Sequence, residues 1–233
     1  MYLQPHPNIL LLGTSHLARG SAQEIEHMFS QYQPDVIALE LDSHRLSALL
    51  HPQRRTSYWA LLRKAGIAGF LFALLGRFLS RRIGKVLNTE PGIDMLTGFW
   101  LAKKNKKRIL LVDQDISVTL RAISGIPFRK KCRMLWVTIK GFFSAQNQSM
   151  PSLHTADLSA APSPAFVAQA LHLIQEWYPE LYAILIEQRN QHIAKALLTY
   201  HRQHPEHRIL VILGAGHLVG VEQLLHIALQ PRS

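Results

Sequence analysis

Two imidazoles, three carboxylates and one guanidinium stand where this chain can do chemistry. His16 lies in Leu12-Gly13-Thr14-Ser15-His16-Leu17, and His217 lies in Leu213-Gly214-Ala215-Gly216-His217-Leu218. The two stretches are near copies at opposite ends of the chain, and each delivers a His three residues after a Gly. Glu40 closes the apolar run Val36–Leu39, Asp113 and Asp115 follow Arg108-Ile-Leu-Leu-Val, and Arg189 follows Gln188 on a helix-patterned segment. Two imidazoles and a carboxylate make a common catalytic metal set, because three protein ligands leave a position for water and substrate. Arg189 then suits an oxyanion or a substrate carboxylate, and Asp113 or Asp115 can fix an imidazole tautomer. The competing reading makes each His a turn residue, Glu40 a partner for Arg45, Asp113 a helix cap, and Arg189 part of an ion-pair cluster with Glu187 or Asn190.

The elements that must position these groups alternate. Asn8 to Gly13 reads as a buried strand, with Gly13 freeing the backbone to leave it. Ser21-Ala22-Gln23-Glu24 has the form of a capping box, and Ile25, Met28, Phe29 and Tyr32 follow at helical spacing, so a helix is expected from Ser21 to Tyr32. Asp35 to Leu41 is a second strand, Arg108 to Asp113 a third, and Arg208 to Leu213 a fourth. Helices are expected after Pro91-Gly92, across Phe166 to Trp177, from Glu180 to Arg202, and from Val219 to Leu229. Strands alternating with helices imply a parallel sheet whose carboxyl edge gathers ligands. The fold class is therefore α/β, a parallel-type central sheet with flanking helices. It forms a single domain over residues 1–233, with helical cap insertions at about 43–88 and 116–163.

Composition narrows the partners. The net charge is +11, and the excess is local: no acid separates Asp42 from Glu90 or Asp115 from Asp157, and Lys103, Lys104, Lys106, Lys107 and Arg108 form a third basic cluster. Such faces attract polyanions or an anionic membrane surface. The aromatic residues among them recur with apolar periodicity, which favours cap packing over nucleic-acid stacking. The longest apolar run, Ala65 to Leu75, falls short of the roughly 30 Å hydrocarbon core, so it suits packing or an interfacial helix. The first residues have no basic n-region or long apolar segment, and a lone cysteine, Cys132, fits a reducing compartment. A cytoplasmic location is expected, with peripheral membrane contact through the basic cap. No Walker A, G-x-S-x-G or G-x-G-x-x-G pattern is present.

Together these blocks resemble the TraB/PrgY/GumN family, related to the Tiki proteins and the EreA/ChaN-like superfamily. The resemblance runs through Gly13-Thr14-Ser15-His16, Pro34 to Asp42 with Arg45, Pro91 to Met95, Leu111 to Ile116 with Thr119-Leu120-Arg121, Gln188-Arg189, and Gly214 to Leu218. It implies an α/β fold with its site at the strand ends. In Tiki-type relatives the signature histidines and an acid are linked to metal-dependent peptide cleavage, and in the pheromone-shutdown branch the implied role is to reduce the activity of a peptide signal. It carries over His16, Glu40 and His217 as metal ligands, and Glu40, Asp113 and Arg189 as catalytic candidates. Mn, Co and Zn all suit such a divalent site. Relatives often read Glu-Arg where this chain has Gln188-Arg189, Asp-Arg where it has Asp113-Gln114, and Glu where it has Asp94. The first expectation is a metal-dependent hydrolase, a peptidase acting on peptide signals. The second, motivated by Gln188 and Gln114, is a protein that binds and sequesters a peptide or small ligand without turnover. Substrate and oligomeric state are open.

Overall fold

A computed structural model describes residues 1–14, 19–51, 92–134, 136 and 164–230. Five strands form one sheet in the order β1-β2-β5-β3-β4. They are β1 (Tyr2–His6), β2 (Ile9–Thr14), β3 (Val36–Leu39), β4 (Arg108–Leu111) and β5 (Ile209–Gly214). β2, β5, β3 and β4 run parallel, whereas β1 is an antiparallel edge strand on β2. The described helices include α1 (Arg19–Tyr32), α2 (Ser43–Leu50), α3 (Ile93–Lys104), α4 (Ile116–Gly125) and α5 (Pro164–Trp177). After them come α6 (Pro179–Tyr182), a π-helical turn (Ala183–Glu187), α7 (Gln188–Gln203) and α8 (Ala215–Leu229). Among the described residues no helix is long and apolar enough to cross a membrane.

β2, β3 and β5 are buried along their whole length and almost wholly apolar because helices cover both faces of the sheet. Side chains alternate between faces with period two. Leu10, Leu12, Ile37, Leu39, Leu210 and Ile212 pack under α1 and α3 against Ile25, Phe29, Met95 and Phe99. Ile9, Leu11, Val36, Ala38, Ile209, Val211 and Leu213 face α7 and α8, meeting Ile193, Leu197, Leu218 and Val221. The α/β architecture with a largely parallel sheet and flanking helices is thus the one expected.

Several local expectations change. β1 was not expected; Tyr2–His6 shows no continuous apolar run, since as an edge strand it needs none. α1 begins at Arg19, so Ser21 lies inside the helix rather than at its start. Glu24 instead meets the Met1 ammonium at 2.7 Å. α8 begins at Ala215 rather than near Val219, which puts His217 in a first helical turn. Gly13 does not take a left-handed conformation; among the described glycines only Gly92 does. A Cβ on Gly13 would stand 2.8 Å from Leu218 Cδ2, so its lack of a side chain serves the close approach of α8 to β2. Of the two insertions, only α2 and the stretch from α4 to residue 136 fall within the described residues. Ser57 to Lys85, with its apolar run, lies outside them.

At the amino edge of the sheet, His201 of α7 is buried, and its Nδ1 has no hydrogen-bond partner. Its ring meets His6 of β1 edge-on at 4.5 Å. Burial, and then the neighbouring His6 charge, lower its pKa from the ordinary 6.5. The unfolded chain therefore binds this proton more readily than the folded one. The contribution to stability is complete above pH 6.5 and is lost as pH falls from there through the lowered folded value. Thermal melts across this range are expected to show a smaller acid-side loss for His201→Leu than for the wild type; parallel curves would contradict the assignment.

Candidate functional site

The site is built outward from Glu40, the first residue beyond β3. Because β5 lies beside β3, the Glu40 amide donates to Ile212 O at 3.1 Å. The Gly214 amide in turn donates to Glu40 Oε2 at 2.6 Å. One carboxylate oxygen is thereby fixed by the last residue of the neighbouring strand. The other, Oε1, takes a short hydrogen bond from Arg189 Nη2. Glu40 is 3% exposed, so this charge stands in the interior with partners that compensate it.

Asp113, just past β4, completes the pairing from the other side. Arg189 donates to it from Nε at 3.0 Å and from Nη2 at 2.7 Å, a bidentate fork that a lysine would not reproduce. Arg45 of α2 adds a further bond to Asp113 Oδ2 at 2.6 Å. Burial by itself would lower the Arg189 pKa. The Asp113 hydrogen bond and the charges of Glu40 and Asp113 outweigh it, so the value is raised and the guanidinium stays cationic. Arg189 reaches this position from the first turn of α7, directly after the π-helical turn, a distortion frequent at functional sites.

His217 enters from β5's far side. Its Nδ1 is 2.7 Å from Asn190 Oδ1, and its Nε2 is 3.4 Å from Glu40 Oε1. With the amide oxygen as acceptor, Nδ1 donates to Asn190 and Nε2 is the nitrogen turned to the carboxylate. A metal-ligating imidazole is commonly held in this way, its other nitrogen tied to an outer partner. Two donor atoms each about 2.0–2.1 Å from a tetrahedral ion lie roughly 3.4 Å apart, so the separation of Nε2 and Oε1 fits two ligands of one ion. Gly220 makes room for this arrangement: a Cβ there would stand 2.2 Å from Asn190 Nδ2.

Of the residues singled out in the sequence, the structure brings Glu40, Asp113, Arg189 and His217 together. His16 lies outside the described residues. Asp115 stands apart as the N-cap of α4, accepting from the Ser117 amide at 2.7 Å, with His44 Nε2 3.6 Å away. Arg45 pairs with Asp113, not with Glu40. The Asn190 role was not anticipated, yet a signal existed. Asn190, Ile193, Ala194, Leu197 and Tyr200 form the buried stripe of α7, and Asn190 is the one amide on it. Thr14 and Asp94 were also missed as a pair. The Thr14 hydroxyl, at the end of β2, makes a short hydrogen bond to Asp94 Oδ2, and Asp94 is fully buried at the start of α3.

Beside Asn190 opens a cavity of about 410 Å³, lined by Gly13, Gly216, Leu171, Ile186, Val219 and Tyr182 among others. Both Gly-x-x-His stretches contribute a glycine to its wall. A model of the TraB/PrgY/gumN family matches residues 4–230. The chain belongs to the TraB/PrgY/gumN family.

Relatives within reach of sequence comparison include an uncharacterized protein of Methanocaldococcus jannaschii, 25% identical over 94% of this chain and 53% of that protein. The TraB domain-containing protein of Homo sapiens is 23% identical over 92% of this chain and 62% of its own length, and that of Mus musculus is similar to the same degree. This chain thus spans a little over half the length of these relatives. Within this TraB-family chain, the two glutamines noted in the sequence sit close to the charged cluster. Gln114 donates from its amide nitrogen to Thr119 Oγ1 at 2.9 Å, and its backbone N–H donates to Asp113 Oδ1 at 2.9 Å. It steadies Asp113 without adding charge. Gln188 precedes Arg189 at the start of α7.

Proposed function

We propose that this protein is a metal-dependent hydrolase acting on peptides. The observation that carries the reading is the pair His217 Nε2 and Glu40 Oε1, 3.4 Å apart, with the far imidazole nitrogen tied to Asn190. His217 and Glu40 would hold a divalent ion, with His16 as the third ligand implied by the family. When bound, the ion supplies a more acidic water and polarises a carbonyl oxygen. The chain's own residues do the rest. Gly214 fixes Glu40 through Oε2, and Arg189 bridges Glu40 and Asp113 through its hydrogen bonds to both. Among the described residues Arg189 Nη1 makes one long 3.5 Å contact, to Leu185 O, and this is the end assigned to steady an anionic oxygen. The apolar wall of the adjoining cavity, with Leu171, Ile186 and Val219, suits an apolar side chain of a peptide.

The test is a chelator-treated preparation reloaded with Zn, Mn or Co and offered a peptide library, with products read by mass spectrometry. Cleavage is expected only with metal, and His217→Ala is expected to lose one equivalent of bound metal together with cleavage. Unchanged metal content in that variant would sink the metal reading.

A second reading, sequestration of a peptide without turnover, draws on the charge balance. Two carboxylates, Glu40 and Asp113, already face two guanidiniums, Arg189 and Arg45. It would be favoured over hydrolysis by peptide retention with no product under any of the three metals.

A further inference from the structure

The opposite edge of the sheet carries a second set of metal-ligating side chains. α7 ends at Gln203, and the chain turns through His204, Pro205, Glu206 and His207 before entering β5. The His207 amide donates to His204 O at 3.2 Å, closing a tight turn with Pro205 at its second position, where proline's fixed φ is favoured. The turn lays the two imidazoles face to face, ring centres 4.8 Å apart and 12° from parallel. Glu206 Oε1 is 3.4 Å from His207 Nε2, the same spacing that suits two ligands of one tetrahedral ion. One donor atom from each of His204, Glu206 and His207 lies within 4.8 Å of the others.

A further observation singles out His207. Its Nδ1 is 2.8 Å from the hydroxyl of Tyr200, which is buried in the core and also accepts from Arg108 Nη1 at 3.2 Å. An imidazole anchored through Nδ1 presents Nε2 outward, and this anchoring is what outer partners of metal-bound histidines provide. The hydroxyl is itself held by β4, so the anchor is part of the fold rather than a chance surface contact.

We propose that His204, Glu206 and His207 form a binding site for a zinc-class divalent ion, separate from the Glu40–His217 centre. The set of two imidazole nitrogens and one carboxylate oxygen selects borderline transition ions over magnesium or calcium. Bound there, the ion ties the end of α7 to the start of β5. These are the two elements that carry Arg189 and Asn190 at one end and Gly214 at the other. The site therefore stabilises the frame on which the other centre is mounted.

Zinc is titrated calorimetrically into the metal-stripped full chain, and thermal midpoints are taken with and without zinc. The wild type is expected to bind one equivalent that His204→Ala/His207→Ala loses and His217→Ala keeps. Zinc is expected to raise the midpoint of His217→Ala, and this rise is expected to vanish when His204→Ala/His207→Ala is added to that variant. Tyr200→Phe keeps the buried ring, removes the anchor, and is expected to weaken this equivalent about 10-fold. No zinc uptake by the wild type would overturn the proposal, as would the same stoichiometry in the double variant or a midpoint rise that persists when it is added to His217→Ala. Loss of a different equivalent in His217→Ala bears only on the hydrolase reading, so the two proposals fail separately.

Discussion

Arg189→Met is expected to destabilise the protein by about 3–5 kcal/mol, the range seen when one partner of a buried ion pair is removed. The arginine side chain is 16% exposed, while those of Glu40 and Asp113 are 4% and 2% exposed. Solvent therefore cannot take over the lost charge. Arg45 remains on Asp113, but the bond from the guanidinium to Glu40 Oε1 is lost. Urea unfolding of the variant checks the magnitude. Adding Glu40→Gln to the same chain removes the stranded negative charge and is expected to recover part of the loss, so the two substitutions are non-additive. A shift within about 0.5 kcal/mol of the wild type, as for an ordinary surface change, would show that the network is not holding the strand ends together.

Asn190→Ala is the second large effect, and it acts on the site more than on the fold. It removes the oxygen that holds His217 Nδ1 at 2.7 Å, and with it a restraint that keeps the imidazole turned to Glu40. Loss of such an outer partner weakens a metal site by about 10–100-fold. Metal affinity of the His217-dependent equivalent, measured by competition with a chelating dye, is expected to fall by that much while the urea midpoint changes little. Gly220→Ala offers an independent route to the same end. Its methyl would meet Asn190 Nδ2 at 2.2 Å and push the amide off the imidazole. Affinity unchanged in both variants would remove Asn190 from the site.

The parts of the fold legible in the sequence were those with a strong local cause. β2, β3 and β5 are continuous apolar runs because both sheet faces are covered, and such runs stand out in any reading. The carboxyl-edge placement of Glu40, Asp113 and His217 followed from strand order alone. β1 was illegible because an edge strand with one polar side carries little hydrophobic pattern. The start of α8 was misplaced because Gly214, Ala215 and Gly216 look like a turn, yet Gly214 here serves as N-cap with extended dihedrals and the helix begins at once. Pairings across the sheet were harder still. That Arg45 reaches Asp113 depends on the angle at which α2 leaves β3, and that Thr14 meets Asp94 depends on how α3 lies over the sheet. No spacing in the chain encodes either. Arg189, Glu40 and Asp113 each stood out as candidates, but their pairing did not, because the two acids follow strands far from Arg189 in sequence.

The π-helical turn has a consequence for how this molecule can vary. It fits an additional residue into one helical turn, and one residue corresponds to about 100° of rotation about the axis. Leu181 just before it, and Ile184 and Leu185 in its first residues, pack with Ile123 and Ile126 of the α4 region. After it, Arg189 and Asn190 face the sheet. The turn sets the angular phase between these two surfaces, much as a spline joint sets one shaft against another. Side chains packed against Ile123 and Ile126 can thus be exchanged on one side of the joint while the ion pairs of Arg189 on the other keep their bearing.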